Sequence, residues 1–285
     1  MSKKKLTMKE FDAGVKRLLE SGADVYRHSD ESCYVHTETR RRLYRTTTFL
    51  AGGVPFQLPD IWKGCLPVGS MADQLARDYF VEGGDAVLFN IQTGAYAPHL
   101  TERACMQLLT DLRKIGDKYE EDGWTVHADR VFLYSLGLGV AGEVDFLLTN
   151  RKRKKIAVVD MKTSRAGLPS FDRRYKKGEK TKREKYALQL NVYREMAEEL
   201  SGLPVDTLEI APFKVFYEPY RSTSDECYFE GFLDVPVDRD VLATIEDTWK
   251  ANTGSLPPDL GIEPNLPDRP EEDSSADAFW ADLFA

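Results

Sequence analysis

Asp145, Asp160 and Lys162 are the residues of this sequence whose types and spacing best suit chemistry. Asp160 and Lys162 lie two positions apart in VVDMKTS, residues 158–164. On an extended strand they point to one face together with Val158, while Val159 and Met161 point to the other. Alone, an Asp-x-Lys triplet is most often a half-exposed salt bridge where a strand leaves its sheet. Asp145, however, sits fifteen residues before Asp160 in AGEVDFLL, a second strand pattern, with the basic turn NRKRKK between them. If the two strands pair as a hairpin, both acids converge at one end of the sheet. Carboxylates held together repel each other unless a cation lies between them. Hard oxygen ligands, with the Met161 backbone carbonyl beside them, suit Mg²⁺ or Mn²⁺, which keep several waters and accept phosphate oxygens as ligands. Such an ion lowers the pKa of a bound water and steadies charge on a phosphate, and a second ion can assist the leaving oxygen. Lys162 could orient or deprotonate the attacking water, or neutralise developing charge.

The charge distribution points to a polyanion. Net charge is −8 over 285 residues, yet residues 151–185 hold fifteen Lys or Arg against four Asp or Glu. That segment therefore carries +11 and the other 250 residues −19. Charge segregated in this way suggests a cationic patch on an acidic body. Arg173, Arg174, Lys176 and Lys177, in RRYKKGEKTKREK, are the candidate backbone-binding residues; the alternative is a solvated lysine-rich loop.

The elements that must position these residues follow from periodicity and punctuation. A capping box, Thr7 to Glu10, opens a helix that ends near Gly22. Residues 23–60 read as irregular, with YRTTTFL a buried stretch. GSMADQLARDYFVEGG and LTERACMQLLTDLRKIGDKYEEDG read as helices, the second with Thr101 as N-cap. TVHADRVFLYS, GVAGEVDFLLT and KIAVVDMKT read as strands, REKYALQLNVYREMAEELSG as a strong helix, and TLEIAPFKVFYEPY and ECYFEGFLDVP as late strands. DRDVLATIEDTWKAN is a last helix. Helix, three strands, helix, strand is an α/β order around a central mixed sheet flanked by helices.

Boundaries are expected at 1–60, a helical and irregular segment packing on the core, 61–252, the core, and 253–285, a flexible acidic tail. The tail has five prolines and eight acids, a composition that does not build a core. Its end, EEDSSADAFWADLFA, carries Phe279, Trp280, Leu283 and Phe284 at spacing that suits a partner-binding helix, for which a replication or recombination protein is the expected class of partner. Composition is 42% hydrophobic and 30% charged, ordinary for a soluble domain. The absence of a run of about 20 apolar residues, or of an apolar run behind Lys3–Lys5, predicts a cytoplasmic protein without signal peptide or membrane span. Cys33, Cys65, Cys105 and Cys227 have no metal-ligand spacing and read as free thiols. His28, His36, His99 and His127 read as surface or satisfied core residues.

With Asp145 and, fifteen positions later, DMK, the chain resembles the PD-(D/E)xK nucleases. QLNVY, Gln189 to Tyr193, is similar to the Q-x-x-x-Y motif of the RecB-like exonuclease branch. G-x-x-D and D-x-K-T-S wording, and the Thr-rich YRTTTFL of mitochondrial and phage members, extend the likeness over residues 43–200. The resemblance implies a restriction-endonuclease-like core, a metal-dependent DNA exonuclease, and a Gln189–Tyr193 face turned to substrate and metal. It implies Asp145, Asp160 and Lys162 as catalytic residues, with Asp145, Asp160 and Met161 as metal ligands. The branch has G-x-x-x-H on an early helix, its histidine a metal ligand; here GSMAD places Asp73 there, with Asp78 as the nearby alternative. No iron–sulfur cluster is expected, because clustered C-terminal cysteines are absent. The other classes open to these residues are a restriction-type or structure-specific endonuclease, which does not need Q-x-x-x-Y, and a non-catalytic nucleic-acid-binding protein that keeps the fold.

Overall fold

The computed structural model describes residues 6–28, 33–53, 66–129, 131–174, 180–217 and 223–263. Thr7 and Glu10 close the expected capping box on α1 (Met8–Glu20). Three short strands follow, β1 (Val25–Arg27), β2 (Cys33–His36) and β3 (Arg42–Arg45), and then a short helix, α2 (Thr46–Leu50). Helices α3 (Leu66–Glu82), α4 (Gly84–Gln92) and α5 (Glu102–Glu121) precede β4 (Thr125–His127), β5 (Val131–Ser135), β6 (Val140–Val144), β7 (Phe146–Asn150) and β8 (Lys155–Ser164). Helix α6 (Lys182–Ser201) leads to β9 (Val205–Tyr217), β10 (Ser224–Phe229), β11 (Leu233–Asp234) and α7 (Val241–Thr253).

The strands form two mixed sheets rather than one. The first runs β1-β2-β3-β6-β5 and the second β10-β9-β8-β7-β4, with β11 on β9. Val144 of β6 pairs with Val131, and Phe146 of β7 pairs with Val159, so a single residue, Asp145, carries the chain from one sheet to the other. The same break divides TVHADRVFLYS, whose two halves become β4 and β5 in different sheets. The architecture is the restriction-endonuclease-like α/β fold, with seven α-helices around the sheets among the described residues.

β7 and β8 are the expected hairpin through NRKRKK, in register from Phe146↔Val159 to Asn150↔Lys155. β9 lies parallel to β8, so a crossover must return the chain, and α6 supplies it. Thr181 and Glu184 cap its start, and Gly202, at φ 68°, closes it in the left-handed conformation that glycine takes without strain. Ile156, Val158, Leu208 and Ile210 pack on Leu190 and Met196 of α6. Val159, Met161 and Phe213 pack on Leu75, Leu108 and Leu112 of α3 and α5. Burial on both faces explains why β8 reads as an unbroken apolar run up to Asp160.

Residues 25–45, expected as irregular, form a meander whose β3 pairs in parallel with β6 at Tyr44↔Val140. Its strands have only three or four residues and include Arg27, His36, Arg42 and Arg45, so no hydrophobic alternation reveals them. After Thr253 the chain continues to pair with residues 40–44 as far as Glu263. Arg42 N–H donates to the Gly261 carbonyl (3.0 Å), Glu263 N–H to that of Arg40 (2.9 Å), and Glu263 pairs with Arg42 at 3.1 Å. The aromatic end of the tail lies outside the described residues. Cys33, Cys105 and Cys227 are buried free thiols; Cys65 lies outside. Of the histidines, His36 and His127 hold threonine hydroxyls at 2.9 Å and His28 faces Glu263. Among the described residues no helix is long and apolar enough to cross a membrane.

Candidate active site

β8 delivers Asp160 and Lys162 to one face, as the two-residue spacing requires. Lys162 Nζ lies 2.6 Å from Asp160 Oδ2, and Asp160 is buried. Opposite Met161, where a strand residue would stand had β7 begun earlier, is the Asp145 carboxylate: Met161 N–H donates to its Oδ2 at 2.7 Å. N–H and C=O of one residue leave a strand on the same edge, so the Met161 carbonyl shares that edge with Asp145.

A third carboxylate comes from α3. Burial and the nearby charges of Asp145 and Asp160 push Asp73 well above the usual carboxylate range, against the opposing pull of Lys162 and Arg77. Asp78, one turn further on, is engaged elsewhere: it accepts from Gln74 Nε2 at 2.5 Å and from the Tyr96 hydroxyl at 2.8 Å. Asp73, not Asp78, therefore joins the site. Burial also pushes Asp160 up to about 7, with Asp145 acting in the same direction and Lys162 against it. Lys162 is moved the other way. Burial disfavours its charge, but Asp160 and Asp145 outweigh burial and hold the ammonium above the ordinary lysine range.

Two residues outside the expected set complete the electrostatics. Arg77, one turn after Asp73, forms an ion pair with Glu143, which stands two residues before Asp145. Asp73, Asp145, Asp160 and Glu143 thus crowd around Arg77 and Lys162, and the crowding that raises Asp73 and Asp160 is what a divalent cation would relieve. Asp73, Arg77, Asp145, Phe146 and Met161 line a cavity of about 10 Å³, room for one water-sized particle. Among the described residues no group of three or more His, Cys, Asp or Glu is disposed to hold a metal ion. Magnesium needs no such cage, since it binds through one or two carboxylates and retains waters. The carboxylates of Asp145 and Asp160 at one strand end, with Asp73 beside them, fit a hard divalent ion.

Helix α6 covers this end of β8. Tyr186, Gln189 and Tyr193 recur at helical spacing on one face. Gln189 Nε2 donates to the Tyr193 hydroxyl at 3.2 Å, and Lys162 Nζ stands 5.2 Å from the centre of the Tyr186 ring. Burial pushes the Tyr193 hydroxyl far above the usual tyrosine range, and Asp160 adds to this. Tyr186 was findable from its position three residues before Gln189. Glu143 and Arg77 carried no such signal, because only folding brings them together. Of the basic residues, Arg174 pairs with Glu184 at 2.8 Å, near the start of α6. Lys176 and Lys177 lie outside the described residues.

Gly142 lets these elements close up. A Cβ there would overlap Thr46 Oγ1, which donates to the Ala141 carbonyl at 3.0 Å, and would reach 3.1 Å from Tyr193 Cε1. Gly142→Val should therefore lower stability by about 1–3 kcal/mol through overpacking, read from the urea midpoint. It should also lower activity, because relief of the overlap displaces Tyr193.

The fold and the paired acids with a lysine define a class of phosphodiester-cleaving proteins. The family model described as PD-(D/E)XK nuclease superfamily matches residues 70–254, about two thirds of the chain, and the protein belongs to that superfamily. No curated protein matches the sequence.

Proposed function

We propose that the protein is a Mg²⁺- or Mn²⁺-dependent deoxyribonuclease that acts as an exonuclease at DNA ends, in replication, recombination or repair. The observation that carries this reading is the convergence of Asp145, Asp160 and Lys162 at one strand end beneath the linked Gln189–Tyr193 pair. Asp145, Asp160 and the Met161 carbonyl would hold the ion, with Asp73 as an additional carboxylate in the place of the branch's histidine. Bound there, a divalent ion supplies an activated water and charge neutralisation at the phosphate. Lys162, held as an ammonium by Asp160 and Asp145, orients the water and offsets the charge that develops on the phosphoryl oxygens, and does not act as a base. Gln189, backed by the buried Tyr193, restrains the substrate strand over β8. This pair favours the exonuclease over an endonuclease with the same metal site.

The test uses end-labelled single- and double-stranded DNA, linear and circular, with Mg²⁺, Mn²⁺ or EDTA. Mononucleotide release from linear DNA alone, abolished by EDTA, supports the exonuclease. Cutting of covalently closed circles shows an endonuclease, and metal-independent binding without cleavage shows an inert binder.

The basic segment gives a separate expectation. Reversing Arg173, Arg174, Lys176 and Lys177 to Glu should weaken binding to every DNA sequence alike. On single strands, the slope of log affinity against log salt should flatten by about 0.7 for each phosphate that the protein no longer neutralises. An unchanged slope in a titration from low to high salt would mark the segment as solvated loop.

A further inference from the structure

Beyond Lys162 the same sheet face continues outward and ends on an aromatic ring open to solvent. Lys162 is in register with Pro212 and Ser164 with Lys214, so Lys214 and then Phe216 stand on the face that bears Asp160 and Lys162. Phe216 is 45% exposed, although it sits in a strand whose neighbours Phe213 and Val215 are buried. The guanidinium of Arg165 lies 6.0 Å from the centre of its ring, and Lys214 Nζ lies 5.6 Å from that of Tyr228. Lys182 Nζ reaches Ser164 Oγ at 3.4 Å, so three cations border the row between Lys162 and Phe216. Among the described residues, Glu226 and Glu230 beside it are engaged: Glu226 pairs with Arg103 at 3.2 Å, and Glu230 accepts the Leu168 N–H at 2.7 Å. Four residues of strand separate the levels of Lys162 and Phe216, about 13 Å, which is within a few nucleotides of the reacting phosphate.

An exposed ring with a guanidinium beside it, at the end of a row of cations, is the arrangement that binds single strands without reading sequence. Every base has a π-face to stack, and the cations follow the phosphates. We propose that Phe216, with Arg165, is a stacking platform for an unpaired base of a single-stranded polynucleotide whose backbone passes Lys214 and Lys182 on its way to Asp160 and Lys162. The platform rests on the nuclease reading above and adds to it the strandedness of the substrate near the reacting bond.

The test measures binding by fluorescence anisotropy in the full chain carrying Asp160→Asn, which leaves the oligonucleotide uncut. A labelled oligo-dT and an abasic oligomer of equal length present the same phosphates with and without bases. Phe216→Ala is expected to weaken oligo-dT binding about 5- to 150-fold, the range for removal of one base stack, and to leave the abasic oligomer unaffected. Phe216→Trp is expected to retain the affinity, and Phe216→Leu to behave like Ala, because an aliphatic side chain of similar bulk cannot stack. Equal losses on both oligomers, or no loss on oligo-dT, would overturn the platform while leaving nucleic-acid binding intact. Failure of the Asp160→Asn protein to bind either oligomer would overturn the nuclease reading with it.

Discussion

Asp160→Asn and Lys162→Ala are each expected to give a folded protein whose cleavage rate has fallen by at least about 10²-fold, the loss typical of one preorganised electrostatic group. The two substitutions should differ in stability. Asp160→Asn keeps the shape of the side chain and removes one of the acids crowded around Arg77 and Lys162, so it eases the crowding. Its Tm without metal should match or exceed that of the wild type. Lys162→Ala removes the cation that offsets both acids and leaves the buried Asp160 beside the half-buried Asp145. Breaking a buried pair in this way costs about 3–5 kcal/mol, so Tm should fall. Metal gives a readout independent of turnover. An ion at 100 times its Kd stabilises the folded state by about 2.7 kcal/mol. Mg²⁺ or Mn²⁺ should therefore raise the wild-type Tm, and the rise should shrink in Asp160→Asn. Full activity in either purified variant, or an undiminished metal-induced rise in Asp160→Asn, would remove these residues from the catalytic centre.

Arg194→Ala should produce a loss of stability as large as that of Lys162→Ala. Arg194 is fully buried within α6, where its guanidinium pairs with Glu195, with Glu198 at 3.2 Å, and with the Asp238 carbonyl at 3.0 Å. Glu198 in turn accepts the Val205 N–H at 2.9 Å and pairs with Arg239 at 2.7 Å. One side chain thus ties the end of the crossover helix to the start of β9 and to the loop ahead of α7. Truncation leaves half-buried glutamates without their partner and opens a void, an expected loss of about 3–5 kcal/mol. Lysine should recover little of it, because a point charge cannot replace a planar fork that meets three acceptors. Methionine should recover more, by refilling the space without a charge to bury. Urea midpoints of the three variants check the order Met above Lys above Ala. Activity per folded molecule should change far less than stability, since Arg194 touches neither β8 nor the carboxylates.

Local features were legible wherever a short-range rule governs them. The capping box at Thr7, the N-cap Thr101, the β7–β8 hairpin and the pairing of Gln189 with Tyr193 on one helical turn all depend on residues at most a few positions apart, or on a single turn. Alternation along a strand was enough to put Asp160 and Lys162 on one side. The short strands β1 to β3 escaped notice because three or four residues bearing arginines form stable structure only once β6 is beside them. The docking of residues 258–263 escaped for a related reason: proline and acid content describes a segment without a core of its own, and this one borrows the backbone of residues 40–44.

By itself, then, the sequence determined which side chains could do chemistry and on which elements they ride: two acids and a lysine on strand patterns, an acid on an early helix, a glutamine and a tyrosine on a late one. Tertiary structure decided which of them meet. Asp145 became the residue at which the chain passes from one sheet to the other, and that break turned its carboxylate onto the Met161 N–H. The direction of α3 chose Asp73 over Asp78, because Asp78 found Tyr96 and Gln74. The Arg77–Glu143 pair and the seat of Lys162 beneath Tyr186 have no trace in local spacing. Each joins residues far apart along the chain, and in a crowded, buried site their charges acquire their strength from the exclusion of water, which only the assembled fold provides.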